Sequence, residues 1–385
     1  MEPEIQPPQP EAPFAEMNTA AHSPETAAPS LEERILSWMD WTFYGSQGLR
    51  SGWSALIWLI LCGLIGAAIG YVFVRLHLVD FDQMGHLTAS LAAREKLVEF
   101  LGLVGGMSVI ALIERRRSLL AYNLTGPRCI PHFLSGLVAG FAALSALMGM
   151  MVWGGWLHFG PVALSGEQIF KYGALWAVAF LLVGCVEEGE FRCYLQFTLT
   201  RGINFWWALG TVGVFSYFMF VIPGRNGSAG VYAVALLGLF PCLMLHIRKT
   251  PRNGFWQAAW VTSTIFGFIH TGNPSENSIG IFAAALIGFV FCVSVRVTGS
   301  AWWAIGCHAA WDWAETFFYG AADSGMVAPG HYLTTTATGN ALWSGGAAGP
   351  EGSLLVIGVI LLLLAALVVI YGRRRQKELV LPVAV

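Results

Sequence analysis

The chain has 385 residues, of which 56% are hydrophobic and 11% charged, with a formal net charge of −2 and a mean hydropathy of +0.61. A soluble globular chain is roughly 45–50% apolar and about 25% charged, so too little polar surface remains here to clothe a soluble particle. A soluble enzyme and a disordered protein are excluded, and with no basic face so is a nucleic-acid binder; what remains is an integral membrane protein whose first partner is the lipid bilayer, a class that the 45 glycines and 16 tryptophans suit.

Residues 1–50 are rich in Pro, Ala and Glu and read as a disordered tail without the basic and apolar segments of a signal peptide. Ser30 before Leu31-Glu32-Glu33 is a helix start signal. About ten apolar stretches follow, at 53–74, 97–113, 133–156, 172–200, 205–221, 231–245, 255–270, 279–297, 301–319 and 354–371. Most are long enough to cross a bilayer as helices, so the expected fold is an all-α polytopic transmembrane bundle of 8–10 spans. No internal repeat is visible, which weighs against an inverted-repeat transporter. Seven cysteines lie singly, mostly in apolar runs, and read as small buried hydrophobes.

Basic residues set orientation. Arg115-Arg116-Arg117 with Arg128, Arg248-Lys249 with Arg252, and Arg373-Arg374-Arg375 with Lys377 follow the second, sixth and tenth stretches, and Arg201 and Arg296 fall on the same side. The opposite loops hold Arg75, Arg94, Lys96, Lys171 and Arg225, and 320–353 contains no Lys or Arg. The positive-inside rule then places both termini in the cytoplasm, with the cell (inner) membrane as the expected location.

Ionisable groups inside spans are costly and are functional candidates by default. The fourth stretch carries Glu187-Glu188-Gly189-Glu190-Phe191-Arg192. Glu188 and Arg192 are four apart and share a helix face, so they are expected to form a supporting ion pair. Glu187 points about 100° away; a lone buried carboxylate suits a general base or acid, and equally a metal ligand. His270 ends the seventh stretch after Phe266, and His308 and Asp312 stand four apart in the ninth. That spacing serves a metal pair and a hydrogen-bonded pair alike. Counted from the basic residues at 1.5 Å per helical residue, Glu187, His270, His308 and Asp312 lie roughly 18–27 Å from the inner charge level. Three helices therefore place polar groups in one layer, and we expect one polar cavity between them.

This set resembles the CAAX prenyl protease and bacteriocin-processing (CPBP, or Abi) family of intramembrane proteases. Its motifs, a Glu-Glu-x-x-x-Arg helix, a Phe-x-x-x-His helix and a His-x-x-x-Asn/Asp helix, are matched at Glu187-Glu188…Arg192, Phe266…His270 and His308…Asp312. The resemblance covers about 173–320 and implies a catalytic core there, with the wide motif spacing fitting an inserted helical hairpin near 205–250; the apolar stretches and basic clusters by themselves give N-terminal transmembrane helices over 51–172, an outer loop over 321–353, and a last helix with a basic cytoplasmic tail over 354–385. It implies an endopeptidase acting on a protein or peptide substrate at the membrane. Glu187, helped by His270, would activate water; His308 and Asp312 would stabilise the oxyanion, or the four would hold a divalent metal such as zinc. Glu188 and Arg192 would support the catalytic helix. Three departures stand out: Glu190 occupies a place that is often apolar, the first two motifs lie about 80 residues apart, and Asp312 stands where Asn is common. An ionised Asp cannot donate a hydrogen bond, which favours a metal-binding or His-orienting role for it. The rival functions are a catalytically silent scaffold or regulator of the same fold and a proton-coupled transporter using Glu187 and Glu190.

Overall fold

The computed structural model describes residues 30–45, 48–79, 88–116, 118–221, 229–249, 253–273, 275–323 and 325–372. The expected tail before residue 30, Arg225, Arg252 and the Arg373–Arg375 run lie outside them. Helix α1 (Leu31–Phe43) forms a unit of its own with the residues up to Gly45. It starts where the sequence signalled: Ser30 Oγ accepts the Glu33 N–H at 3.2 Å, and Glu33 Oε2 accepts the Ser30 N–H at 2.7 Å, a reciprocal capping box.

The second unit is a helical bundle: α2 (Ser51–Arg75), α3 (Ala89–Ile113), α4 (Cys129–Trp153), α5 (Glu167–Thr200), α6 (Phe205–Val221), α7 (Ala229–Ile247), α8 (Gly254–Ile269), α9 (Ser278–Thr298), α10 (Trp302–Trp313) and α11 (Leu354–Leu367). Seven helices are long and apolar enough to cross a membrane: α2, α3, α4, α5, α7, α9 and α11 with its extension to Gly372. All ten apolar stretches are thus helical, but α6, α8 and α10 are shorter than a full span. For α8 and α10 burial explains this, because both are enclosed by other helices along most of their length.

Small residues draw the helices round α10. A Cβ on Gly136 or Gly140 of α4 would collide with the carbonyls of Trp303 and Cys307, and one on Gly306 with the carbonyl of Phe133. A Cβ on Gly184 of α5 would sit 3.0 Å from the Ile305 carbonyl, and one on Gly267 of α8 would sit 2.9 Å from that of Ile281 in α9. Backbones can approach this closely only where side chains are absent, the usual device for packing helices in lipid.

Two local departures from the sequence reading matter for the site. First, the helix expected from 97 begins at Ala89. The Thr88 side chain caps the Leu91 N–H at 3.3 Å, Arg94 Nη1 donates to the Leu78 carbonyl at 2.7 Å, and Lys96 pairs with Glu99 at 2.8 Å. Arg94 and Lys96, expected in a loop, are therefore helical. Second, the bundle is not purely helical: β1 (Leu157–Val162) pairs antiparallel with β2 (Leu333–Ala337). This ribbon lies between α4 and α5 in one strand and in the stretch after α10 in the other. Asn277, before α9, donates Nδ2 to the Gly352 carbonyl at 3.0 Å and ties that stretch to the same end of the bundle.

Candidate active site

Helix α5 changes winding at the acidic motif. Its α-helical winding is interrupted after Glu188 by a π-helical segment, Gly189–Leu195, and resumes over Gln196–Thr200. Such wide turns recur at functional sites because they redirect side chains that a regular helix would aim elsewhere. Gly189 also lets α3 close in: a Cβ there would stand 2.6 Å from Leu103 Cδ2.

Glu188 and Arg192 are both fully buried, with Arg192 Nε 3.2 Å from Glu188 Oε2 and Nη1 donating to Oε1 at 3.4 Å. The guanidinium lies over the rings of Phe266 (4.4 Å to the centroid), Phe291 (5.4 Å) and Phe191 (5.6 Å). The remaining side is left open by Gly288, whose added Cβ would stand 2.6 Å from Nη2. Apolar rings exclude water from the pair while their π-faces favour the cation. The Arg192 carbonyl accepts a hydrogen bond from Asn123 Nδ2 at 2.8 Å, which anchors the segment to the loop before α4.

Glu188 has a second task in this geometry. Its Oε1 lies 2.8 Å from His308 Nδ1. A carboxylate oxygen accepts, so Nδ1 bears the hydrogen and Nε2 is turned toward the other acids. Nε2 is 3.5 Å from Asp312 Oδ2 and 3.8 Å from Glu187 Oε2. The His308 ring stacks on Phe291 at 5.7 Å between centroids, which fixes its plane. His270 is oriented by its own helix: Nδ1 lies 2.7 Å from the Phe266 carbonyl. That carbonyl can only accept, so Nδ1 is the donor and the neutral ring presents a lone pair on Nε2. Phe266 stands between the imidazoles, with its ring 4.7 Å from that of His270 and 6.2 Å from that of His308.

Glu187, His270, His308 and Asp312 line one cavity of about 360 Å³. It is closed by Trp176, Phe180, Phe266, Phe291 and Trp311, a mostly apolar chamber with a few convergent polar groups, as expected of a substrate site. Glu187 is a quarter exposed and His308 and Asp312 about half as much, so the chamber reaches them. Glu187 Oε2 makes no hydrogen bond to the described residues.

Other groups in the chamber carried no motif. Lys96 enters from α3, and Asp323 and Glu351 enter from the stretch after α10. Trp311 Nε1 donates to Glu351 Oε1 at 2.8 Å and to Glu315 Oε2 at 3.1 Å, while Thr316 Oγ1 donates to Asp323 Oδ2 at 2.9 Å. Burial, followed by the charges of Asp323 and Glu276, pushes the Glu351 carboxyl well above the usual carboxylate range. Glu190 is a near neighbour of Glu187, Glu99 and Lys96 on the α3 side.

The donor set, two imidazoles and two carboxylates, is chemically suited to a divalent ion. Yet among the described residues no group of three or more His, Cys, Asp or Glu is arranged to hold one.

Seven helices long and apolar enough to span a membrane, in a bundle that holds a chamber of acids and imidazoles, define an integral membrane protein with a buried polar site. Residues 242–314 match the model of the family described as type II CAAX prenyl endopeptidase Rce1-like, and the kind of function this supports is an intramembrane endopeptidase. The match starts inside α7 and ends one residue past α10. It includes His270, His308 and Asp312 and leaves Glu187–Arg192 to the geometry. Searches of curated proteins and of solved structures found no match.

Proposed function

We propose that the chain hydrolyses peptide bonds in the chamber between α5, α8 and α10, with Glu187 as general base. The observation that carries this is the convergence of Glu187, His270, His308 and Asp312, from three separate helices, on one cavity. A protein or peptide segment in extended form enters the chamber and presents its carbonyl to a water beside Glu187. Glu187 takes one proton from that water while the lone pair on His270 Nε2 accepts a hydrogen bond from the O–H that remains and aims the oxygen. The oxygen adds to the carbonyl carbon. The oxyanion is met by His308 acting as an imidazolium, with its Nδ1–H committed to Glu188 and its Nε2–H turned to the chamber, and with the Asp312 carboxylate and the now protonated Glu187 beside it. The C–N bond then breaks, and Glu187 returns its proton to the leaving amine.

Arg192 and Glu188 act through His308: the buried pair fixes the carboxylate that fixes the imidazole. No step is routed through a metal, because the donors do not close into a set of three. The residues that would hold an ion such as zinc are those named above, and a chelator tests for one. A membrane location with both termini in the cytoplasm belongs to this proposal.

Proteomics of membranes carrying the wild-type chain or Glu187→Ala, each with and without EDTA, tests the reading. New peptide termini in the wild type, absent from the variant and unaffected by EDTA, are expected. Identical termini in wild type and variant would defeat the assignment of Glu187, and proton-gradient-dependent flux without cleavage would favour a transporter.

A further inference from the structure

Helix α1 has no place in the chemistry of the chamber, and its sequence is two-faced. At about 100° per residue, Leu31, Ile35, Trp38 and Met39 fall within an arc of roughly 100°, and Glu33, Ser37 and Asp40 centre on the opposite side. Glu32 and Arg34 flank the apolar arc. No residue of α1 is buried, and the four apolar side chains are 44–73% exposed. Among the described residues, then, no part of the protein covers this face. The helix does not depend on such cover for its start, because the capping box between Ser30 and Glu33 already satisfies N–H groups there.

The next segment of the chain identifies the cover. Helix α2 is apolar along its length, is bracketed by Arg50 and Arg75, and has only Ser54 and Trp58 buried. The rest of its surface meets lipid, and the headgroup level falls near its start. Residues 44–50 alone separate the two helices, a linker that reaches at most about 25 Å when fully extended. The apolar face of α1 is therefore tethered within reach of the bilayer surface. With 13 residues the helix is about 20 Å long, too short to cross a hydrocarbon core of about 30 Å. It can lie along the surface but cannot span. A tryptophan on the apolar face suits that depth, since the indole has both an apolar body and an N–H for the headgroups.

We infer that α1 is an interfacial helix: it lies in the headgroup boundary of the leaflet that α2 enters, with Leu31, Ile35, Trp38 and Met39 against the acyl chains and Glu33, Ser37 and Asp40 in water. Glu32, Glu33 and Asp40 outweigh Arg34 in charge, so anionic headgroups repel the helix and apolar burial alone holds it. A neutral, zwitterionic lipid surface is the partner this face fits. The inference stands apart from the proteolytic reading and holds whether or not the chain cuts peptides.

Photo-crosslinking of the purified full chain in phosphatidylcholine vesicles tests this. Benzoylphenylalanine replaces Ile35, Met39, Ser37 or Asp40, one per variant, and the adducts are identified by mass. Benzophenone inserts into C–H bonds and spares water, so it reports acyl chains and is silent in solvent. Lipid adducts should be severalfold more abundant from positions 35 and 39 than from 37 and 40. Adding Ile35→Asp to the variant with the probe at 39 should lower its lipid adducts severalfold, and adding phosphatidylglycerol to the vesicles should not raise them. Equal lipid adducts from both faces, or none from 35 and 39, overturn the inference. So do crosslinks from 35 and 39 to this chain, which would mean that the bundle covers the face, or to a second copy, which would make it a self-association surface. A yield that rises with phosphatidylglycerol would overturn attachment by apolar burial.

Discussion

Arg192→Met removes the guanidinium from the fully buried pair and leaves the Glu188 carboxylate buried with His308 as its remaining partner. Breaking a buried pair from one side costs about 3–5 kcal/mol. Glu188 keeps the His308 Nδ1–H at 2.8 Å, so the loss should lie near the lower end, about 3 kcal/mol by the same principle. Equilibrium unfolding in mixed micelles of increasing denaturing-detergent fraction measures it. The double variant Glu188→Gln/Arg192→Met carries no buried charge at these positions and should return to within about 1 kcal/mol of the wild type, yet cleave poorly, because His308 loses its anionic anchor. If Arg192→Met unfolds within about 1 kcal/mol of the wild type, the pair is not the desolvated clamp that its burial describes.

Three further outcomes follow from the same geometry. Gly288→Ala places a methyl 2.6 Å from Arg192 Nη2 in a guanidinium site with no free space and should lower stability by about 1–3 kcal/mol, read in the same micelle assay. Glu351 has a folded-state pKa raised by burial, so the stability it contributes is full below the ordinary carboxylate range and is lost as pH rises through the raised value. Glu351→Gln should therefore gain on the wild type in unfolding midpoint as pH increases from 5 to about 9, and a constant difference would contradict the shift. At the far end of α3, Glu114 accepts from Arg201 at 2.7 Å, Arg116 at 3.1 Å and the Tyr122 hydroxyl at 3.1 Å. Glu114→Ala should cost about 2 kcal/mol or more by stranding these donors while leaving the cleavage rate of the folded fraction unchanged.

The helices and the acid–histidine positions were legible in the sequence because a charge inside an apolar run stands out against its surroundings, as with Glu187-Glu188 and His308…Asp312. Their convergence was inferable from membrane depth alone, but their partners were not. The 308–312 spacing suggests an intrahelical pair, whereas the shortest contact of His308 is to Glu188, 120 residues away. Lys96 was hidden because Arg94, Glu95, Lys96 and Glu99 depress the local hydropathy and make the first turns of α3 look like loop. Glu351 reaches Trp311 across 40 residues from a Gly- and Ala-rich stretch without periodicity. The strand Leu333–Ala337 did carry a signal, the run Thr334-Thr335-Thr336 of β-branched residues. Its partner Leu157–Val162, with Gly160 and Pro161 inside it, carried little.

The central claim is that a water activated by Glu187 cuts a peptide bond inside the chamber. Its most direct test is single-turnover cleavage of a peptide library by the purified full chain in vesicles, in water enriched in ¹⁸O. The account predicts one ¹⁸O atom in each newly formed carboxylate with the wild type, and no new carboxylate above background with Glu187→Gln at an unchanged unfolding midpoint. New termini at equal rates from both proteins, or unlabelled ones, would contradict it.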